Sequence, residues 1–128
     1  MLPTTKTPPK EHLADLSAET LATLARLLPP GIMDPHNPFD ATPITPTDRY
    51  VAMAAAVAAD PAVDALVVAG VPATPALDTL AAGPGHRDDV TQPTSLARRL
   101  VEFFRQTNKP VVFSVDSGAA FDPMVAVM

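Results

Sequence analysis

The sequence predicts an α/β fold, a parallel sheet with helices packed on both of its faces. Three observations predict it. Ala65–Ala69 and Val111–Val115 are continuous apolar runs of strand length bounded by turn residues, the composition of strands buried on both sides. Apolar residues recur at helical spacing before, between and after them. Helices alternating with such strands are the order of a parallel α/β sheet, not of an antiparallel one.

Residues 1–12 contain Pro3, Pro8 and Pro9 and little apolar content, so they read as a flexible entry segment ahead of a domain at 13–128. Ser17 is a good N-cap, Glu19 sits in the first turn where the helix dipole favours an acid, and Leu16 can staple onto Leu21. Leu21, Leu24 and Leu28 continue that helix to Pro29-Pro30-Gly31. Six of the sixteen prolines then lie between Pro29 and Pro46, which forbids a helix and leaves a long stiff loop with at most a short extended piece at Ile32-Met33. Long loops inside compact domains are often functional.

A second helix opens at Pro46-Thr47 and runs to Asp60-Pro61, with Tyr50, Met53, Ala54 and Val57 on one face and alanine on most of the other. An apolar surface that wide predicts burial on more than one side. After the first strand, Thr74-Pro75 with Leu77 and Leu80 predicts a short helix within Pro72–Ala82, and Gly83–Pro93 a polar loop. A third long helix starts near Thr94-Ser95 and turns Leu96, Leu100, Phe103, Phe104 and Thr107 inward, with Arg98, Arg99, Glu102, Arg105 and Gln106 facing water. The second strand ends at Asp116-Ser117-Gly118, and Asp122-Pro123 starts a last helix that has run about two turns at Met128. Two strands are few for a parallel sheet, which usually has five or six, so the domain is expected to be incomplete at both ends.

Composition narrows the function classes. Leu, Ile, Val and Phe make up about a quarter of the 128 residues, enough to build one core. With no cysteine, thiol nucleophiles, zinc–thiolate sites and disulfides are excluded, and a reducing compartment is the default. A formal charge of −5 argues against nucleic acid as a partner. Neither a secretory signal nor an apolar run of membrane-spanning length is present, so a soluble cytoplasmic protein with no membrane partner is expected.

Several blocks taken together resemble a known family. Leu16-Ser17-Ala18-Glu19-Thr20-Leu21, Leu27–Gly31, Asn37-Pro38-Phe39-Asp40, Asp48-Arg49-Tyr50, Asp60–Ala65, Val71–Leu80 and Lys109-Pro110-Val111-Val112 occur in order and at nearly the same spacing as in the NDP-forming acyl-CoA synthetases. That group contains the acetate–CoA ligases and is related to succinyl-CoA synthetase. The resemblance covers about residues 13–128 and is to the second succinyl-CoA-ligase-like domain, which implies a flavodoxin-like three-layer fold. By comparison with the family, the first βα unit and the last strand are expected to be lacking. The family's glycine-rich turn opening a helix has no counterpart in Met1–His12, which contains no glycine, and its SHTG-type phosphohistidine segment is absent too.

The resemblance therefore implies a domain, fragment or split subunit of a larger ligase, inactive when isolated. The parent reaction joins a carboxylate to CoA at the expense of NTP, giving NDP and phosphate through a phosphohistidine outside this chain. ATP or ADP, Mg²⁺ and CoA are implied for the complete enzyme, with none bound by this chain alone. The implied partners are other domains or subunits of such an enzyme, with a homo-oligomer as a further expectation. The competing reading is a non-catalytic subunit or interaction module derived from the same domain.

The candidate residues follow. Asn37, Asp40 and Thr42 in the proline loop could line a face towards the phosphate-carrying segment or the CoA domain, or serve only as turn formers that satisfy their own backbone. Asp116 and Ser117 stand at the carboxyl end of a strand, where open α/β sheets bind ligands, or form a simple strand-to-loop turn. A receiver-type phosphoacceptor at Asp116 fails on placement, since Asp88-Asp89 precede a helix and Lys109 precedes its strand. His86 in Gly83–Asp89 could accept phosphate but lacks the family's motif, and a solvated loop histidine is the simpler reading. His12, His36 and His86 lack the helical i, i+4 spacing of a metal pair, and no metal site is expected. Arg98, Arg99 and Arg105 read as a solvated helix face balanced by Glu102.

Overall fold

The computed structural model describes residues 12–115 and 118–128. In chain order the elements are α1 (Ala18–Leu27), α2 (Thr47–Ala59), β1 (Leu66–Gly70), α3 (Leu96–Gln106), β2 (Val111–Val115), a single 3₁₀ turn at Ala119–Phe121, and α4 (Asp122–Val127). This is the expected mixed α/β class, and the arrangement matches part of a flavodoxin-like fold. The strands pair in parallel with Leu66 beside Val111 and Gly70 beside Val115.

The helix starts follow from local chemistry. The Ser17 hydroxyl accepts the Thr20 N–H at 3.2 Å and the Ser95 hydroxyl accepts the Arg98 N–H at 3.3 Å, each supplying a partner to one of the donors a helix start leaves unpaired. Arg26 and Arg105 occupy the last turns of their helices, where the dipole favours a cation. At α4, Pro123 fits the first turn, where its missing N–H costs nothing.

Two apolar clusters make the core, with α2 between them. Met53 and Val57 face α1, packing with Leu24, Leu28 and Val63, while Ala54 and Ala58 face the sheet side with Val68, Leu96, Leu100, Phe103 and Met124. The all-round apolar surface of α2 is thus used on two sides, as its sequence requires. Its alanines let neighbours approach closely. Gly70 does the same within the sheet, since a Cβ there would lie 2.7 Å from the Phe113 ring.

Two expectations are corrected. Among the described residues, the helices cover one face of the sheet. Val68 is buried, but Val67 next to it is 69% exposed and Val112 is 60% exposed, with Ala69 and Ser114 exposed beside them. An apolar run shows that a strand can be buried on both sides; it does not supply the second layer. Pro72–Ala82 is also not a helix. The backbone N–H groups of Thr79 and Leu80 donate to the Asp88 carboxylate, at 2.9 and 3.3 Å, and Ala73 adopts a left-handed φ of 64°. A carboxylate from the following loop has captured donors that a helix would need for its own ladder, and the whole of Val71–Thr94 stays irregular.

Candidate functional site

The proline loop is held by polar contacts that largely close on themselves. Asn37 Nδ2 donates to Ala14 O at 3.0 Å, tying the loop to the segment ahead of α1. Asp40 Oδ1 accepts the Thr42 N–H at 2.8 Å, and that turn holds Thr42 at a φ of 66°. The Thr42 hydroxyl pairs with that of the buried Thr45 at 3.2 Å, and Thr45 donates in turn to Ala41 O. Asn37, Asp40 and Thr42 therefore share one loop, and each has a polar group committed to its own backbone or to a neighbouring residue. Asp40 is exposed at the loop surface.

The other candidates are dispersed. His86 is exposed in its glycine-bounded loop, and His36 Nδ1 lies 3.0 Å from Asp34 O. Asp116 and Ser117, and the entry segment apart from His12, lie outside the described residues. Among the described residues no group of three His, Asp or Glu side chains converges as a metal site would require. Arg99 does more than face water: it reaches Asp48 of α2 at 3.1 Å as well as Glu102 at 3.2 Å, bridging two helices over a groove of about 200 Å³.

Three features were missed in the sequence. Asp60, read only as a helix end, is 1% exposed and joins three elements. Its carboxylate accepts the Ser17 N–H and the Ala62 N–H, each at 2.8 Å, while its carbonyl accepts from Lys109 Nζ at 2.6 Å. Hydrogen bonds from the Thr20 hydroxyl and from the Ala62 and Ser17 amides hold this carboxyl far below the usual carboxylate range. Tyr50, read as a core-facing residue of α2, also donates its hydroxyl to Ala69 O at 2.8 Å, and burial pushes its phenol up to about 12. At the carboxyl end of β1, Ala73 is strained and the Thr74 hydroxyl is buried without a hydrogen-bond partner among the described residues. The signal for Asp60 was present: an Asp-Pro at a helix end and a capped Ser17 both fall in family-like blocks. Thr74 was read as a helix start and also falls in a family-like block, Val71–Leu80.

No protein-family model matches the chain, and no curated protein is significantly similar to it. Among solved structures, the crystal structure of PH0766 from Pyrococcus horikoshii OT3 is similar, with a TM-score of 0.59 at 20% identity. The fold is shared. The likeness covers 89% of this chain and 24% of that one, so this chain spans about a quarter of that protein's length. Among the described residues, no helix is long and apolar enough to cross a membrane.

Proposed function

We propose that the chain serves as the second flavodoxin-like domain of an NDP-forming acyl-CoA synthetase, a scaffold beside which phosphate passes between nucleotide and acyl group. The observation that carries this reading is the fold likeness to PH0766, a protein of the CoA-ligase-like family, over nearly the whole chain. The blocks that carry the sequence resemblance agree with it. Those at Leu16–Leu21 and Asp60–Ala65 meet through the Asp60 carboxylate, and the one at Asp48–Tyr50 meets the sheet through the Tyr50 hydroxyl. These contacts build a scaffold.

In this role the chain's own residues position a surface, and the reacting histidine belongs to another segment. Carboxylate, CoA and NTP would become acyl-CoA, NDP and phosphate on the complete enzyme. In this reading a divalent ion for the nucleotide would take its ligands from the other domains. The second reading, a non-catalytic interaction module, is favoured by one observation. The polar side chains of Asn37, Asp40 and Thr42 are engaged within or beside their loop.

The test is complementation in trans. An acyl-CoA synthetase of this family with its second flavodoxin-like domain deleted is mixed with this chain, and CoA-dependent acyl-CoA formation is measured. Restored turnover supports the ligase reading, and stable binding without turnover supports the module. Neither binding nor turnover refutes both. The chain alone, incubated with labelled ATP and Mg²⁺, should remain unlabelled; an acid-labile phosphate on His86 would show that the scaffold reading is wrong.

A further inference from the structure

Between β1 and α3 the chain has no regular element, yet the first part of this stretch carries the signals of a helix. Thr74 is a capping residue, Pro75 suits the first helical position, five of the next seven residues are alanine or leucine, and Gly83 follows as a stop. The folded chain starts that helix and goes no further. The Leu77 N–H donates to Thr74 O at 3.3 Å, which closes one turn, but the Thr79 and Leu80 amides both donate to Oδ2 of Asp88. Two groups are left poorly served. The Thr74 hydroxyl, which in an N-cap would accept an amide of the first turn, is buried without a partner among the described residues, and Ala73 is held at a φ of 64°.

We infer that Pro75–Ala82 is a two-state strap. The Asp88 carboxylate latches it in the irregular form, and when that carboxylate is withdrawn the segment folds into a helix beside the carboxyl end of β1, the end at which open α/β sheets take their ligands. The exchange is close to even in hydrogen bonds. Release gives up the two bonds to Asp88, the Ala73 N–H bond to the Thr79 hydroxyl and the Val90 N–H bond to Leu80 O. It gains the internal ladder of a two-turn helix and a cap from Thr74. With similar counts on each side, one carboxylate can decide between them.

The two sides of the latch are held unequally. Asp88 stands close to a fixed base, since Val90 is 2% exposed in the core and the Ser95 hydroxyl, at the start of α3, donates to Val90 O at 2.8 Å. Between that base and the captured amides, Ala81–Arg87 is exposed throughout and Gly85 has a φ of 88°, so the two sides can part without disturbing a packed element. Packing permits both forms. Leu77 belongs to the core cluster, and helical spacing keeps it there with Leu80 beside it while turning the buried Thr79 outward.

Far-UV circular dichroism of the full chain tests the latch. Asp88→Ala removes the acceptor and should raise the helical signal at 222 nm by about a fifth, as the strap joins the four existing helices. Asp88→Asn keeps one acceptor oxygen, which is all the wild type uses, and should stay at the wild-type signal. Adding Ala81→Pro, at an exposed position inside the new helix, should abolish the gain of Asp88→Ala. An unchanged or lower signal in Asp88→Ala overturns the inference, as does a gain that survives Ala81→Pro or that Asp88→Asn shows in full. Amide exchange in the wild type gives a second reading that needs no variant. The Thr79 and Leu80 amides should exchange through a local opening that is insensitive to low urea, and exchange only with global unfolding, at the rate of the Leu100 amide, overturns the latch.

Discussion

Val67 and Val68 are adjacent, identical in side chain and in the same strand, yet one is 69% exposed and the other 6%. Replacing each by alanine separates burial from every other property of the position. Both substitutions lose the same β-branched preference for strand geometry, a contribution within about 1 kcal/mol that cancels in the comparison. Val68→Ala also removes buried methyl groups packed between β1 and the α3 side of the core and leaves a small cavity, costing about 2–3 kcal/mol. Val67→Ala removes atoms already in water, so its burial cost should stay within about 0.5 kcal/mol. The two variants should differ by roughly 2 kcal/mol, or about 6–12 °C in Tm for a domain of this size. Urea unfolding followed by circular dichroism measures the difference. Equal costs, or a larger cost at Val67, would falsify the assignment of a single covered sheet face.

The remaining predictions concern caps and titrating groups. Ser17→Ala and Ser95→Ala should each lower unfolding stability by about 1 kcal/mol through loss of an N-cap, and a change within error at both would refute the capping role. Because the Asp60 carboxyl is depressed in the folded chain, its stabilisation is full above its ordinary value of 3.8 and is lost as pH falls below it. The urea midpoint should therefore decline towards pH 2 more steeply in the wild type than in Asp60→Asn, which should already be destabilised at pH 7; parallel profiles would contradict this. Tyr50 is the sole tyrosine, so absorbance at 295 nm follows it alone and should titrate near 12 instead of 10. With its folded pKa raised, its contribution is complete below pH 10 and disappears as pH rises towards 12. Tyr50→Phe should remove that dependence.

Much of the scaffold was legible because its signals are local. Ser17 and Ser95 announce helix starts through side chains that reach only three residues ahead, and Pro29-Pro30-Gly31 ends α1 by steric exclusion. The failed helix at Pro72–Ala82 had acceptable local signals and lost to Asp88, whose carboxylate takes the Thr79 and Leu80 amides from nine and eight residues away. The candidate site was legible only as a loop. Asn37, Asp40 and Thr42 do lie together, but whether their polar groups face outward or bind the backbone depends on where Ala14 and Thr45 come to rest.

Element type and order, the two-sided burial of α2 and the class of the sheet follow from periodicity, caps and breakers, whose physical range is a turn of helix or a pair of strand residues. The folded chain alone decided which face of the sheet is covered, because Val67 and Val68 are indistinguishable in sequence and separated only by the side on which α2, α3 and α4 pack. It alone also made Asp60 the junction of α1, α2 and the start of β2, across separations of 43 and 49 residues. Such contacts form only after the helices have been placed by burial of apolar area, a force without direction and therefore without a local signature.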